Sequence, residues 1–193
     1  MGMDTAVSSI GARARTRRAI LDAGAAVLAK NPTASLADVA AAAGVGRTTV
    51  HRYFSERSDL IAAIGVDVLD KIGAATERAR PGDGPALTAL ERVCQEYFEL
   101  GESLAIVFDE SLAATWNWES WEEETEADRA LARLVDRGRE EGALDSRLDT
   151  DWVIQVVWSL LYVAWQRSRS GDTKHNALSL CLHTLRKSVG AAP

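Results

Sequence analysis

SLADVAAAAGVGRTTVHRYF, residues 35–54, decides how this chain is read. Leu36, Val39, Ala40 and Ala43 recur at helical spacing, with Ser35 placed as an N-cap and Asp38 three residues on as its capping-box partner. Gly44-Val45-Gly46 interrupts the pattern, and a second short helix, Arg47 to Tyr53, packs through Val50 and Phe54. Ala40 to Ala43 let two helices approach closely at a steep angle, and Gly44 supplies the positive φ such turns often need. This is the pattern of a helix-turn-helix. Its second helix shows solvent Arg47, Thr48, Thr49, His51, Arg52 and Tyr53, side chains able to hydrogen-bond the phosphates or base edges of a duplex. An ordinary helical hairpin with a solvated polar face would share the spacing.

Upstream, a helix is expected from about Ala12 to Lys30, with Ile20, Ala23, Val27 and Leu28 on one face and Asn31-Pro32 as its stop. Downstream, Ser55 caps a long fourth helix whose buried positions are Leu60, Ile61, Ile64, Val68 and Ile72. Pro81-Gly82-Asp83-Gly84-Pro85 ends it. Leu87, Leu90, Val93, Cys94 and Tyr97 mark a fifth helix ending near Gly101, followed by a shorter piece to about Leu112. Further helices are read over 122–142, 151–169 and 177–189. Strand-like alternation is nearly absent, so the fold class is all-α, with about nine helices. Residues 1–11, small and polar, read as a flexible tail, and 12–57 as the helix-turn-helix domain.

Composition narrows the function classes. Two cysteines, Cys94 and Cys181, sit in no Cys/His cluster, which excludes a disulfide scaffold and zinc-ribbon chemistry and points to a reducing compartment. No run of 18 apolar residues is present and the N-terminus lacks an apolar signal region, so the expectation is a cytoplasmic protein with no membrane partner. The net charge of −6 hides an asymmetry: residues 1–60 carry 8 Lys+Arg against 5 Asp+Glu, while 61–193 carry 14 against 23. A basic head on an acidic body lets the head meet phosphate while the body is repelled by it.

The head resembles the N-terminal signature of tetracycline-repressor-type (TetR family) regulators. The resemblance is carried by Thr16-Arg17-Arg18-Ala19-Ile20-Leu21-Asp22-Ala23, Leu36-Ala37-Asp38-Val39-Ala40, Ala43-Gly44-Val45 and Val50-His51-Arg52-Tyr53-Phe54, followed by Arg57 and Leu60. It covers roughly residues 13–64; beyond them only helical class and length agree. It implies that Ser35 places a hydroxyl near a phosphate and that Arg47, Thr48 and Thr49 enter the major groove of a double-stranded DNA operator. It implies phosphate contacts for His51 and Arg57, with Tyr53 beside the backbone and Arg52 on the same helix. Two departures stand out: His51 where the family usually has tyrosine, and Thr48 where it usually has glycine. Arg13, Arg15, Arg17 and Arg18 form a further basic run, read either as an arm for a minor groove or as a solvated helix start.

The same resemblance implies that residues 58–193 form a ligand-binding and dimerisation domain joined to the head by the fourth helix. All six tryptophans lie there, and aromatics that dense either build core or line a pocket. Trp116, Trp118 and Trp121 fall at a helix break, and Trp158, Tyr162 and Trp165 share one face of the penultimate helix. With Tyr97 and Phe108 they are the expected pocket for a small apolar or aromatic effector, which the neighbouring glutamates 122–126 would let be cationic. Ile154, Val157 and Leu161 make a second apolar strip, and Leu178, Leu182 and Leu185 a matching one on the last helix. These are expected to form a four-helix interface in a homodimer, although an intramolecular helix would cover them as well. No catalytic constellation, metal-ligand spacing or cofactor loop is visible, so neither a metal nor a cofactor is expected. The rival classes are a helical enzyme or small-molecule binder without DNA binding, and a protein adaptor.

Overall fold

The computed structural model describes residues 3–108 and 124–191, and these are helical throughout apart from turns and one isolated bridge. The helices are α1 (Met3–Leu28), α2 (Leu36–Ala42), α3 (Arg47–Tyr53), α4 (Arg57–Ala79), α5 (Ala86–Phe98), α6 (Glu102–Val107), α7 (Glu126–Glu140), α8 (Thr150–Arg169) and α9 (Lys174–Val189). The chain divides into two units, Met1–Val68 with Ile106–Trp118, and Leu69–Ala105 with Glu119–Pro193. The division falls inside α4 rather than at its start near residue 57. α1 begins at Met3 rather than Ala12, so most of the segment read as a tail continues the helix; no proline stands in the way.

In the first unit α1 and α2 pack together and α2 packs on α3, burying Ile20, Leu28, Val39, Val50 and Phe54. Gly24 faces α4 so closely that an added Cβ would lie 2.9 Å from the Ile64 side chain. The interior glycine lowers helix propensity by about 1 kcal/mol and is what lets α1 and α4 approach.

In the second unit α8 and α9 pair most extensively, and α5 lies against α7, α8 and α9. Val93, Val135, Val153, Val157, Leu161, Cys181 and Leu185 fill the space between them. α7 opens with a capping box in which the Thr125 hydroxyl accepts from the Asp128 amide, and the Asp149 and Thr173 side chains cap α8 and α9. These caps move the starts of all three helices away from the positions periodicity gave, because apolar spacing does not register the first polar turn.

Candidate DNA interface and ligand cavity

The two short helices are set by their caps. The Ser35 hydroxyl donates to Asp38 Oδ2 at 2.7 Å and accepts from the Asp38 amide at 3.3 Å. The bond from the Ser35 hydroxyl, and after it that from the Ser35 amide to Asp38 Oδ2 at 2.8 Å, hold the Asp38 carboxyl below its ordinary range. The hydroxyl that the resemblance sets near a phosphate thus donates its proton to Asp38 inside the cap. Gly44 sits at φ +66°, as the turn requires, and Gly46 starts α3 without a side-chain cap.

Val50 and Phe54 point into the core, which leaves Arg47, Thr48, His51 and Arg52 exposed and Thr49 and Tyr53 half-buried. The expected outward face is therefore brought together on one short helix. Three side chains of the expected interface make bonds within the chain. The His51 ring places Nδ1 3.3 Å from the Ser55 carbonyl, which only accepts, so that nitrogen carries the proton and donates. The Tyr53 hydroxyl donates to the Arg13 carbonyl at 3.2 Å, tying α3 to α1. Arg57 is turned inward: Nε donates to the Ala34 carbonyl at 2.9 Å and another guanidinium nitrogen donates to the Pro32 carbonyl. The loop between α1 and α2 leaves those carbonyls without helical partners, so the cation expected at a phosphate ties the loop to α4. The minor-groove arm is also not what α1 offers, since Arg13 to Arg18 lie within a continuous helix.

In the body, Tyr97 is 1% exposed, and burial pushes its phenol up to about 12. Its hydroxyl lies 2.7 Å from that of Thr76, which already donates to the Ile72 carbonyl at 2.9 Å, so Tyr97 is the donor. The Tyr97 ring stacks on Trp158, with centroids 5.2 Å apart and planes 18° from parallel. Beside Thr76, a cavity of about 230 Å³ is lined by Gly73, Thr76, Glu77, Pro81, Glu126, Ala127 and Ala130. A second, of about 380 Å³, continues past Pro81 and Ala130 to Arg133, Leu134 and Arg137. Neither is lined by Trp158, Tyr162 or Trp165. Tyr162 and Trp165 pack against each other, 6.2 Å between centroids, and the Arg169 guanidinium lies 4.9 Å from the Trp165 ring centre. The three aromatics expected as one pocket wall are thus divided between a stack on α5 and a cluster near the end of α8. Phe108 belongs to the first unit, and Trp116, Trp118 and Trp121 lie outside the described residues.

The cavity residues Gly73, Thr76 and Glu77 escaped the sequence reading. Thr76 had a signal: it is a hydroxyl four residues after Ile72, in line with the buried stripe of α4. Glu126 is neutralised by Arg129 at 3.0 Å and Arg133 at 2.5 Å, whereas Glu77 is exposed and has no ion-pair partner among the described residues.

The expected dimer strip also divides. Val157, Leu161 and Leu185 are fully buried within the chain, and Ile154, Leu178 and Leu182 are partly covered. On α8 and α9 the large apolar side chains left outside are Val163 (59% exposed), Trp152 (54%), Leu180 (43%) and Tyr162 (37%), because α5 claims the more regular stripe of both helices.

Residues 20–64 match the model of the bacterial regulatory proteins of the tetR family. Over 190 residues the chain is 38% identical to the HTH-type transcriptional repressor LfrR of Mycolicibacterium smegmatis, covering 95% of each. The crystal structure of the TetR-like regulator LfrR from Mycobacterium smegmatis in complex with proflavine aligns with a TM-score of 0.69 at 36% identity, over 93% of this chain and 99% of that one. The ketosteroid transcriptional regulator KstR2 of Mycobacterium tuberculosis shares the fold, with a TM-score of 0.68 at 16% identity over 91% and 95%.

Proposed function

The chain belongs to the TetR family of bacterial transcriptional regulators, and from that premise we propose that it is a repressor which binds a near-palindromic operator as a homodimer and releases it when a planar, apolar or aromatic effector enters the body. It is a regulator and not an enzyme, as its relatives are. The observation that carries the DNA reading is α3 itself: Val50 anchors it while Arg47, Thr48 and Arg52 stand in solvent. A helix so held can lie in a major groove with side chains at base edges. Repression is supported by the name of the 38% identical relative. No helix among the described residues is long and apolar enough to cross a membrane.

Effector chemistry rests on the body. The solved relative is named as a complex with proflavine, a planar aromatic cation. Here the cavity beside Thr76 has apolar walls and one uncompensated carboxylate, Glu77, which would favour positive charge. Release requires that the ligand prefer a conformation in which the two recognition helices are wrongly spaced, and α4, running unbroken from Arg57 to Ala79, is the element to transmit it.

A second copy is the occupant proposed for the exposed Trp152, Val163 and Leu180, since apolar side chains left open on paired terminal helices favour self-association. The test uses a duplex selected from a random pool: the purified protein should retard it, and proflavine should quench tryptophan fluorescence and release the duplex with one midpoint. Quenching that leaves the duplex bound sinks the effector reading. A protein that selects no duplex would be a small-molecule binder without DNA activity.

A further inference from the structure

α1 carries arginines at 13, 15, 17 and 18, and the structure sorts them by face. Arg18 turns to carboxylates, Asp67 at 2.5 Å and Asp22 at 3.2 Å. Arg13 and Arg17 turn instead to the aromatic pair that ends α3. The Arg13 guanidinium carbon lies 5.8 Å from the Tyr53 ring centre, and that of Arg17 lies 5.7 Å from the Phe54 ring centre. Arg52, from α3, stands 5.6 Å from the same Tyr53 ring. The bond from the Tyr53 hydroxyl to the Arg13 carbonyl fixes the two helix ends together. The result is an open basin of about 380 Å³ lined by Arg13, Ala14, Arg17, Arg52 and Tyr53. Among the described residues, no carboxylate forms an ion pair with any of its three guanidinium groups.

An aromatic face orients a guanidinium without neutralising it. Three like charges gathered without a counter-charge repel one another, and a bound anion relieves that repulsion. Guanidinium forks match phosphate oxygens in geometry. The three groups are braced against rings on rigid helices, so they can meet an anion at the surface but not reach deep into a groove.

We propose that this basin is a second backbone-phosphate site, which takes a phosphodiester of duplex DNA outside the bases addressed by α3. It rests on the reading that the chain binds DNA. Tyr53 serves it as a positioning residue, its hydroxyl being spent on the Arg13 carbonyl. The site widens the footprint beyond α3 and adds affinity without sequence preference.

The test measures binding of the full-length protein to a duplex selected from a random pool and to a scrambled duplex of equal length, over a salt series. Arg13→Gln and Arg17→Gln should each weaken both duplexes severalfold and by the same factor, and lower the salt slope by about 1. Arg13→Lys and Arg17→Lys keep the charge and should retain most of the slope. Tyr53→Phe should weaken both duplexes less than either glutamine variant. Arg15→Gln, the same charge change on another face of α1, should leave affinity and slope unchanged. The proposal is overturned if Arg13→Gln and Arg17→Gln leave the slope intact, if Arg15→Gln lowers it equally, or if the loss is confined to the selected duplex. Arg47→Ala separates the two readings. If it weakens the selected duplex while the α1 variants do nothing, DNA binding stands and the basin falls; if the wild-type protein binds neither duplex, both fall.

Discussion

The first unit and the second spend the same residue type in opposite ways. In the body, arginines are consumed internally. Arg78 pairs with Glu96 and Arg186 with Glu91, Arg92 donates to the Ala79, Arg80 and Asp83 carbonyls at the end of α4, and Arg137 donates to Pro81 and Gly82. In the head, Arg13, Arg17 and Arg52 have no carboxylate partner among the described residues and face aromatic rings or solvent. An excess of three positive charges over residues 1–60 therefore understates how available the charge is, because availability depends on pairing and not on the count. A surface meant for a polyanion leaves its cations unpaired; a surface meant for water pairs them.

That contrast can be broken in several ways. The largest effect should come from the body, through assembly. Val163→Glu combined with Leu180→Glu should yield monomers in sedimentation velocity, and a reader limited to one half-site should lose about two orders of magnitude in operator affinity. A dimeric double variant would place the interface elsewhere. Next come single arginines. Arg47→Ala should weaken a selected operator by about 1–3 kcal/mol in fluorescence anisotropy. Arg78→Ala, from the body, should leave it unchanged; equal losses would erase the difference between the two regions.

A smaller effect should appear in stability alone. Tyr97→Phe removes the buried bond to Thr76, which keeps its partner at the Ile72 carbonyl, so urea unfolding should show a loss of about 1 kcal/mol. Operator affinity per folded dimer should not change. The smallest effect belongs to the α2 cap. The Asp38 carboxyl is held low by the Ser35 hydroxyl and amide, so its contribution is complete above the ordinary carboxylate range and disappears as pH falls through the lowered value. The stability difference between wild type and Asp38→Asn should shrink on acidification; a gap that persists at low pH would assign the cap to shape rather than charge.

Much of the head could be read from its residues because its structure is local. A capping box at Ser35 and Asp38, a positive-φ glycine at 44 and a stop at Asn31-Pro32 each depend on neighbours within a few positions. The roles of Arg57 and Tyr53 could not be read so, because each is decided by where a guanidinium or hydroxyl finds its acceptor. For Arg57 the acceptor carbonyls lie 23 and 25 residues away, and for Tyr53 the acceptor lies 40 away. The body was harder still. Helical spacing alone gave α8 two candidate faces, and which one is buried follows from where α5 lies.

By itself, the sequence determined the all-helical class, the helix-turn-helix and its outward face, because periodicity, caps and turn residues act over one or two helical turns. Tertiary structure alone decided which arginines remain unpaired, that Trp158 stacks on Tyr97 instead of joining Tyr162 and Trp165, and that Val163 and Leu180 stay exposed while Leu161 and Leu185 are buried. Those outcomes depend on distances between residues far apart in the chain, which no local spacing encodes.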